Sequence, residues 1–252
     1  IGMMLGQVWP TRGEVRVCGH DVMLRRTLAL RQVGAIFESP AFYDYLSGWR
    51  NLEILSHYTA PTSRQRLQEV IDWVGLTGRE RSAGRTYSHG MRARLALAQA
   101  LLPEPTLLIL DEPGDGLDPE GIHEMRETIL RLHRELGLTI LLSSHLLNEV
   151  EQLCTQIGVI RKGRKVFEGP TAHALQSRNW LRITVPDFAA ADRFLRQEGL
   201  IDESRDGRCV AMSEGISSEA IIRRLVEGGF RVSEVARDEQ TLEDFYLSVM
   251  RQ

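Results

Sequence analysis

LLILDEP, residues 107–113, is the most informative stretch of the chain. Its uninterrupted apolar run is typical of a strand that is buried on both faces of a parallel sheet. The run ends on Asp111 and Glu112, and ligands of open α/β sheets bind at the carboxyl ends of the strands. Two adjacent carboxylates there can divide the work: one holds Mg²⁺ through water, and the other orients or deprotonates an attacking water. The plainer interpretation is a solvated Asp-Glu turn.

The sequence on the C-terminal side of this stretch predicts a β-α-β unit over residues 106–145. Asp118-Pro119 combines an N-cap residue with a first-turn proline and so marks a helix start. The apolar positions that follow recur at helical spacing (Ile122, Met125, Ile129, Leu132 and Leu136). A second buried strand is expected at 138–142, just before Ser143-Ser144-His145, and the crossover between the strands should be right-handed.

The other patterns predict an α/β chain in two parts. Upstream we expect the tail of a helix over 1–10, strands at 14–18 and 33–37, and helices within 48–102. Downstream, a hairpin over 161–170 precedes a small α/β region, with strands at 181–185, 208–212 and 230–236 and helices at 187–198, 217–227 and from Leu242 onward. We therefore predict domains at 1–177 and 178–252.

Composition excludes several classes of protein. The chain has 252 residues, of which 42 % are hydrophobic, so most of it should fold. With 31 Lys and Arg against 34 Asp and Glu, it lacks the basic excess of a broad nucleic-acid-binding surface. No apolar run approaches the roughly 18 residues of a membrane span. The cysteines, Cys18, Cys154 and Cys209, fit a reducing cytosol better than a disulfide framework.

YSHGM, residues 87–91, opens a predicted helix that is apolar on one side. A helix start with an exposed hydroxyl, from Ser88, and a glycine, Gly90, is a natural phosphate site, because free N–H groups and the helix dipole point at the anion. An ordinary N-cap without a ligand is the plainer interpretation. His145, at the end of the next strand, is placed to hydrogen-bond a terminal phosphate, although a lone histidine is more often structural.

Taken together, these stretches resemble the ABC transporter ATPase family over about residues 1–176. YSHGM stands where that family has its signature sequence, and LLILDE is similar to its Walker B strand with the catalytic glutamate. Gly116-Leu117-Asp118 resembles the D-loop, SSH the segment of the switch histidine, and VGAIFESP the Q-loop region. The patterns SHGMRARL and ESPAFYDYLSG are similar to the ABC-2 branch of drug, bacitracin and lantibiotic exporters.

The resemblance implies a fold and a set of roles. The fold would be a P-loop NTPase-like ABC ATPase core with a helical subdomain at about 41–102, plus a small C-terminal α/β accessory domain. ATP, with Mg²⁺, would lie between two nucleotide-binding domains that pair head to tail, here as a homodimer. The implied residues are Glu112 and His145 for catalysis, Asp111 and Glu38 for the metal, and Tyr87, Ser88, His89, Gly90, Met91 and Asp118 for ATP binding.

Three departures from the family pattern bear on activity. The phosphate-loop pattern G-x-x-x-x-G-K-[ST] does not occur in the 252 residues. The chain as given is therefore expected to begin just after that loop, to bind ATP poorly alone and to have negligible ATPase activity. Glu38 replaces the usual glutamine and so lacks an amide donor. His89 and Met91 replace glycine and glutamine of the signature, whereas Ser88 and Gly90 remain.

An aromatic cluster near the predicted Q-loop (Phe42, Tyr43, Tyr45 and Trp49) suits either core packing or a groove for a short helix of a partner. The resemblance favours the groove, because the family works with a membrane-spanning permease, here of the ABC-2 type. It implies a peripheral protein at the cytoplasmic face of the plasma membrane. The implied function is the ATP-hydrolysing motor of a multidrug or antibiotic export system, with no nucleic-acid partner.

Other functions stay open on the sequence. A truncated, non-catalytic ABC-like dimerisation partner would carry the same motifs, and the reading frame upstream of Ile1 would discriminate it from a motor subunit. ABC ATPases of translation or DNA repair usually have tandem domains or long coiled coils, which the sequence does not show. A zinc hydrolase is disfavoured, because His123-Glu124 has no second histidine at the HExxH spacing.

Overall fold

The computed structural model describes residues 1–37, 41–59, 62–175, 180–238 and 241–251. They form two compact units, Ile1–Glu149 and Val150–Gln252. Each unit mixes helices with strands, which confirms the predicted α/β class.

The first unit contains, in chain order, strands β1 Arg16–Val17 and β2 His20–Asp21, helix α1 Arg26–Leu30, strand β3 Val33–Ile36, helices α2 Gly48–Thr59, α3 Arg64–Trp73 and α4 His89–Leu101, strand β4 Leu107–Asp111, helix α5 Pro119–Leu136 and strand β5 Thr139–Ser143. A short 3₁₀ turn covers Gly84–Thr86. The helical region predicted at 48–102 thus divides into three α-helices, with turns between α3 and α4.

A three-stranded parallel sheet in the order β3-β4-β5 forms the centre of this unit. Leu108, Ile109 and Leu110 of β4 are fully buried, as expected for a central strand. Helix α4 lies directly on β3, where Gly34 leaves room for the helix backbone at Ala100. Burial of apolar side chains on both faces of β4 is the main favourable term that holds the strand in place.

The β-α-β unit predicted around LLILDEP is confirmed, with α5 connecting the parallel strands β4 and β5. Asp118 caps α5, since its Oδ1 accepts the Gly121 N–H at 3.0 Å. Met125, Ile129 and Leu132 form the buried stripe. The expectation of a buried second strand was wrong: β5 is the edge of the described sheet, so Leu141 is 38 % exposed.

The start of the chain differs from the expected helix tail. Ile1–Gly6 form turns, in which the Leu5 N–H donates to the Ile1 carbonyl at 3.2 Å. Gly6 has a φ of +65°, a left-handed conformation that ends the turn. The strand predicted at 14–18 is shorter than expected, because the chain reverses through Cys18 and Gly19 to pair β1 with β2.

Helix α6 Leu147–Leu153 includes the boundary between the two units. After it, the second unit contains strands β6 Gln156–Arg161 and β7 Arg164–Pro170, helix α7 Thr171–Ala174, strand β8 Trp180–Thr184, helix α8 Phe188–Gln197, strands β9 Ile201–Arg205 and β10 Cys209–Met212, helix α9 Ser218–Glu227, strand β11 Glu234–Arg237 and helix α10 Leu242–Arg251. The predicted hairpin is present as β6–β7.

The elements β8 to β11 follow a β-α-β-β-α-β order and form an antiparallel sheet arranged β11-β8-β10-β9. This is the ferredoxin-like arrangement. Leu181 and Ile183 of β8 pack against Leu195 of α8 and Leu225 of α9 in one apolar cluster. The alternation of apolar residues along β8 therefore places one face of the sheet against the two helices.

Two details of this sheet escaped the sequence pattern. Strand β9 (IDESR) is mostly polar because it lies at the edge and pairs with β10 alone among the described residues. Strand β11 begins later than the predicted residue 230, because the Phe230 N–H still donates to the Leu225 carbonyl at the end of α9.

The boundary between the two compact units falls between Glu149 and Val150. The sequence predicted a domain boundary between residues 177 and 178. The hairpin β6–β7 accounts for the difference, because its strands pair with each other and not with the parallel sheet β3-β4-β5. The division into an ATPase core and an accessory domain stays a prediction.

None of the described helices is long and apolar enough to cross a membrane.

We expect Gly34→Ala to destabilise the chain, because a Cβ there would overlap the Ala100 carbonyl and approach Leu108 Cδ2 to 2.7 Å. Overpacking of this kind lowers the free energy of unfolding by about 1–3 kcal/mol. Gly158→Ala, in the open strand β6, is the matched control, since nothing lies within 4 Å of its added Cβ. Denaturant unfolding measures both variants, and equal stability would contradict the packing of α4 on β3.

Candidate functional site

Asp111 and Ser143 face each other where β4 and β5 end. The parallel register pairs these two residues directly. The Ser143 hydroxyl donates to Asp111 Oδ1 at 2.6 Å. Within the described residues no hydrogen bond occupies the second oxygen of this carboxylate, so it is available to a ligand at the edge of the sheet.

Glu112 occupies a strained backbone position immediately after β4. Its φ is +48°, in the left-handed region that side-chain-bearing residues rarely adopt. Such a conformation costs on the order of 1–3 kcal/mol and persists only when its surroundings hold it. Here the Glu112 N–H donates to both the carbonyl and the hydroxyl of Ser143, each at 3.2 Å.

His145 is hydrogen-bonded to the Glu112 side chain. Glu112 Oε2 lies 2.7 Å from His145 Nδ1 and accepts the His145 backbone N–H at 3.2 Å. An ionised carboxylate only accepts hydrogen bonds, so Nδ1 carries a proton in this arrangement. The other ring nitrogen, Nε2, is left for a ligand. The sequence placed these two residues in one site, and the structure brings them into contact.

The same contact sets the electrostatics of the imidazole. The hydrogen bond to Glu112, followed by the charge of that carboxylate, raises the pKa of His145 above its ordinary value. The His145 side chain is 62 % exposed, which leaves it open to solvent and ligands. The pair therefore combines a fixed carboxylate with an accessible imidazole that is more readily protonated than usual.

A carboxylate that the sequence analysis missed, Glu149, lies behind this pair. Its side chain is buried, and burial raises its pKa. Ser144 Oγ donates to Oε2 at 3.3 Å, whereas Oε1 has no hydrogen-bond partner among the described residues. Oε1 lies close to Gly114, 2.6 Å from the position that an added Cβ would take. The signal in the sequence was weak, because Glu149 is one of two glutamates in a short helix, Leu147–Leu153.

The loop from Pro113 to Asp118 connects Glu112 to helix α5. The Asp115 N–H donates to the Glu112 carbonyl at 3.1 Å, and Gly116 has a φ of +69°. Asp118, predicted to contact ATP, serves as the N-cap of α5. The cap uses Oδ1 of Asp118, and a contact of Asp118 with ATP stays a prediction.

The start of α4 has the geometry of an anion site. Ser88 is its N-cap, with Oγ accepting the Met91 N–H at 3.2 Å, which leaves the hydroxyl proton free to donate. The N–H groups of His89 and Gly90, in the first turn, have no acceptor within the helix. Tyr87 differs from its neighbours, because it is buried and its hydroxyl donates to the Arg79 carbonyl at 2.9 Å.

Residues from the start of α4 and from the end of β4 line one cavity of about 230 Å³. Its lining includes His89 and Arg92 of α4 together with Asp111, Glu112 and Asp115. The His89 ring also lies against Gly116, where Nε2 is 3.1 Å from the position of an added Cβ. The cavity thus joins basic groups at a helix start to carboxylates at the sheet edge.

Asp111 is the one predicted metal ligand whose surroundings can be described, since Glu38 lies outside the described residues. No three His, Cys, Asp or Glu side chains among the described residues form a group able to hold a metal by themselves. Mg²⁺ is usually bound through one or two carboxylates together with waters and substrate phosphates. Asp111, with one oxygen fixed by Ser143, fits such a site.

The raised pKa of His145 should depend on Glu112. We expect an NMR titration of the chain to place the His145 pKa above 6.5, and Glu112→Gln to lower it, because an amide carries no charge. The contribution of this contact to stability is complete below the ordinary pKa and is lost as the pH rises through the raised one. His145→Gln identifies the resonance, and a His145 pKa unchanged by Glu112→Gln would contradict the contact.

Comparisons with known proteins identify the family of this chain. The sequence model of the ABC transporter family matches residues 1–115. An uncharacterized ABC transporter ATP-binding protein of Bacillus subtilis, YhcH, is 35 % identical over 250 residues, covering 99 % of this chain and 81 % of that protein. The bacitracin transport ATP-binding protein BcrA of Bacillus licheniformis is 34 % identical over 254 residues, covering 99 % and 83 %.

The fold also matches a solved structure, that of cbiO1 from Clostridium perfringens, part of the ABC transporter complex cbiONQ. The TM-score is 0.64 at 22 % sequence identity, over 79 % of either chain, which shows likeness of fold. The resemblance drawn from the motifs is confirmed by relatives that match nearly the whole chain. The chain belongs to the ATP-binding proteins of the ABC transporter family.

Proposed function

We propose that this chain is the ATP-hydrolysing motor subunit of an ABC-2-type export system. The observation that carries the proposal is the contact between Glu112 and His145, just beyond the ends of the parallel strands β4 and β5. A carboxylate next to an accessible imidazole suits the positioning of a water and a terminal phosphate. The similarity to BcrA, a bacitracin transport protein, supports export as the process that the hydrolysis drives.

In the proposed ATP site, Glu112 accepts a hydrogen bond from the attacking water. Oε2 is already hydrogen-bonded to His145, so Oε1 is the oxygen that accepts the hydrogen bond from the water. The water oxygen forms a bond to the γ-phosphorus while the bond to the β–γ bridging oxygen breaks, which yields ADP and phosphate. Such reactions depend on positioning and charge stabilisation more than on covalent chemistry.

His145 and the start of α4 would neutralise phosphate charge. With Nδ1 held by Glu112, the Nε2 atom of His145 is free to donate to a γ-phosphate oxygen when the ring is protonated. Ser88 offers a hydroxyl proton, and the first N–H groups of α4 add the positive end of the helix dipole. We propose that Ser88, His89, Gly90 and Met91 serve the ATP bound by a second copy of this chain, paired head to tail, and that Tyr87 supports this segment by packing.

Asp111 would hold Mg²⁺ through its free oxygen, with Glu38 as a second proposed ligand. When bound with ATP, Mg²⁺ neutralises charge that develops on the phosphates. Asp118 would face the second subunit, and its side chain is fixed for this by the cap of α5. These assignments together make two composite sites in a homodimer.

The aromatic cluster supports a permease as the membrane partner. Tyr43 and Tyr45 are exposed, and their rings meet edge to face at 6.0 Å. Asn51, which is fully buried, fixes their loop by accepting the Tyr43 N–H at 2.8 Å and donating to the carbonyls of Tyr43 and Ser47. Exposed aromatic rings on a rigid loop suit a short helix of an ABC-2 permease. The partner would place this chain at the cytoplasmic face of the membrane.

A non-catalytic dimerisation partner is the second candidate. The observation in its favour is that His89 and Met91 replace glycine and glutamine of the family signature. The two candidates differ in whether Glu112 is needed for turnover by the gene product that contains these residues.

We expect Glu112→Gln, in that gene product, to leave ATP binding intact and to lower ATPase turnover by about 100-fold or more, because an amide cannot accept a proton. The variant should accumulate as a nucleotide-bound dimer. His145→Ala should also lower turnover, with some loss of binding. Glu127→Gln, an exposed change on α5, is the matched control. Turnover of Glu112→Gln within about tenfold of the wild type would contradict the role of Glu112.

A further inference from the structure

Ser143 makes contacts that none of the assigned roles requires. It is the last residue of β5 and lies opposite Asp111 in the parallel register. Its hydroxyl donates to Asp111 Oδ1 at 2.6 Å and accepts the Glu112 N–H at 3.2 Å. One side-chain atom therefore contacts two consecutive residues, both of which the proposed mechanism uses.

The chemistry of a hydroxyl makes this arrangement directional. A hydroxyl has one proton to donate and two lone pairs that accept. The proton goes to Asp111, because an ionised carboxylate only accepts, and a lone pair receives the Glu112 N–H. An aliphatic side chain of the same shape would supply neither contact.

Each contact fixes a different property of the site. The bond to Asp111 selects one orientation of the carboxylate and occupies Oδ1, so that the other oxygen is presented to a ligand. The bond from Glu112 helps to hold a backbone with a φ of +48°. Without it the Glu112 carboxylate would lose part of the support that places it against His145.

We propose that Ser143 is a positioning residue, which orients Asp111 for Mg²⁺ and holds Glu112 in its strained conformation. The inference rests on the proposed ATPase function and adds a residue to it. Groups that orient a metal ligand typically change metal affinity or activity by about 10–100-fold when they are removed. A merely structural serine at the end of a strand would change stability and leave the dependence on Mg²⁺ as it is.

The test compares Ser143→Thr with Ser143→Val in the gene product that contains these residues. The two variants have the same shape, and only threonine keeps the hydroxyl. We expect threonine to stay close to the wild type. Valine should raise the Mg²⁺ concentration for half-maximal ATPase about tenfold or more and lower kcat, whereas KM for ATP at saturating Mg²⁺ should change little.

Binding of a fluorescent ATP analogue supplies a readout that needs no turnover. With EDTA the three proteins should bind it equally, and with Mg²⁺ the valine variant should gain less affinity than the other two. Ser143→Ala, which adds no bulk, is the second variant if valine does not fold, and it should behave as valine does.

The outcomes separate this inference from the proposed function. Equal Mg²⁺ dependence in the threonine and valine variants, or in the wild type and Ser143→Ala, would overturn the role of Ser143. Wild-type binding without any response to Mg²⁺ would instead contradict the metal role of Asp111, and wild type without ATPase would contradict the proposed function. A valine variant that binds less with EDTA as well would show a structural role and overturn the positioning role.

Discussion

The parallel pairing of β4 with β5 is the constraint on which the site depends. It sets Asp111 opposite Ser143, and the residues that follow the two strands, Glu112 and His145, then come into hydrogen-bonding contact. The buried apolar run of β4 ends at Asp111, so a shift that drew this residue into the sheet would bury its carboxylate at a high cost in free energy. Packing of the apolar core therefore fixes the geometry of the polar groups of the site, although these groups contribute little to the core.

The charges of the site depend on the same arrangement. Helix α4 contributes a helix start, His89 and Arg92, while the sheet edge contributes three carboxylates to the same cavity. The Glu112–His145 contact raises the pKa of the imidazole, and burial raises that of Glu149. Groups of both signs thus lie close together in one chain, whereas the proposed ATP sites combine the α4 start of one subunit with the Glu112–His145 pair of the other.

The sequence predicted elements whose signals are local. The apolar run predicts strand β4, and the N-caps at Asp118 and Ser88 predict the starts of α5 and α4. Each signal lies within or directly before the element that it predicts, and all three predictions are confirmed. Ser143 and Glu149 escaped notice, because their importance arises from partners more than thirty residues away or in another element. Strand β9 was missed because an edge strand needs few apolar side chains. The positive φ of Glu112 has no signature in the sequence, since it results from contacts made after the chain has folded.

The central claim is that the start of α4 and the Glu112–His145 pair act on the same ATP from two different subunits. Mixing two inactive variants of the gene product, Ser88→Asp and Glu112→Gln, tests it directly. Aspartate keeps the N-cap but repels phosphate. If the site is shared, mixed dimers contain one intact site, and turnover should return to about a quarter of the wild type after random exchange of subunits. If differently tagged subunits are shown to exchange and the mixture stays as inactive as either variant, the composite site is contradicted.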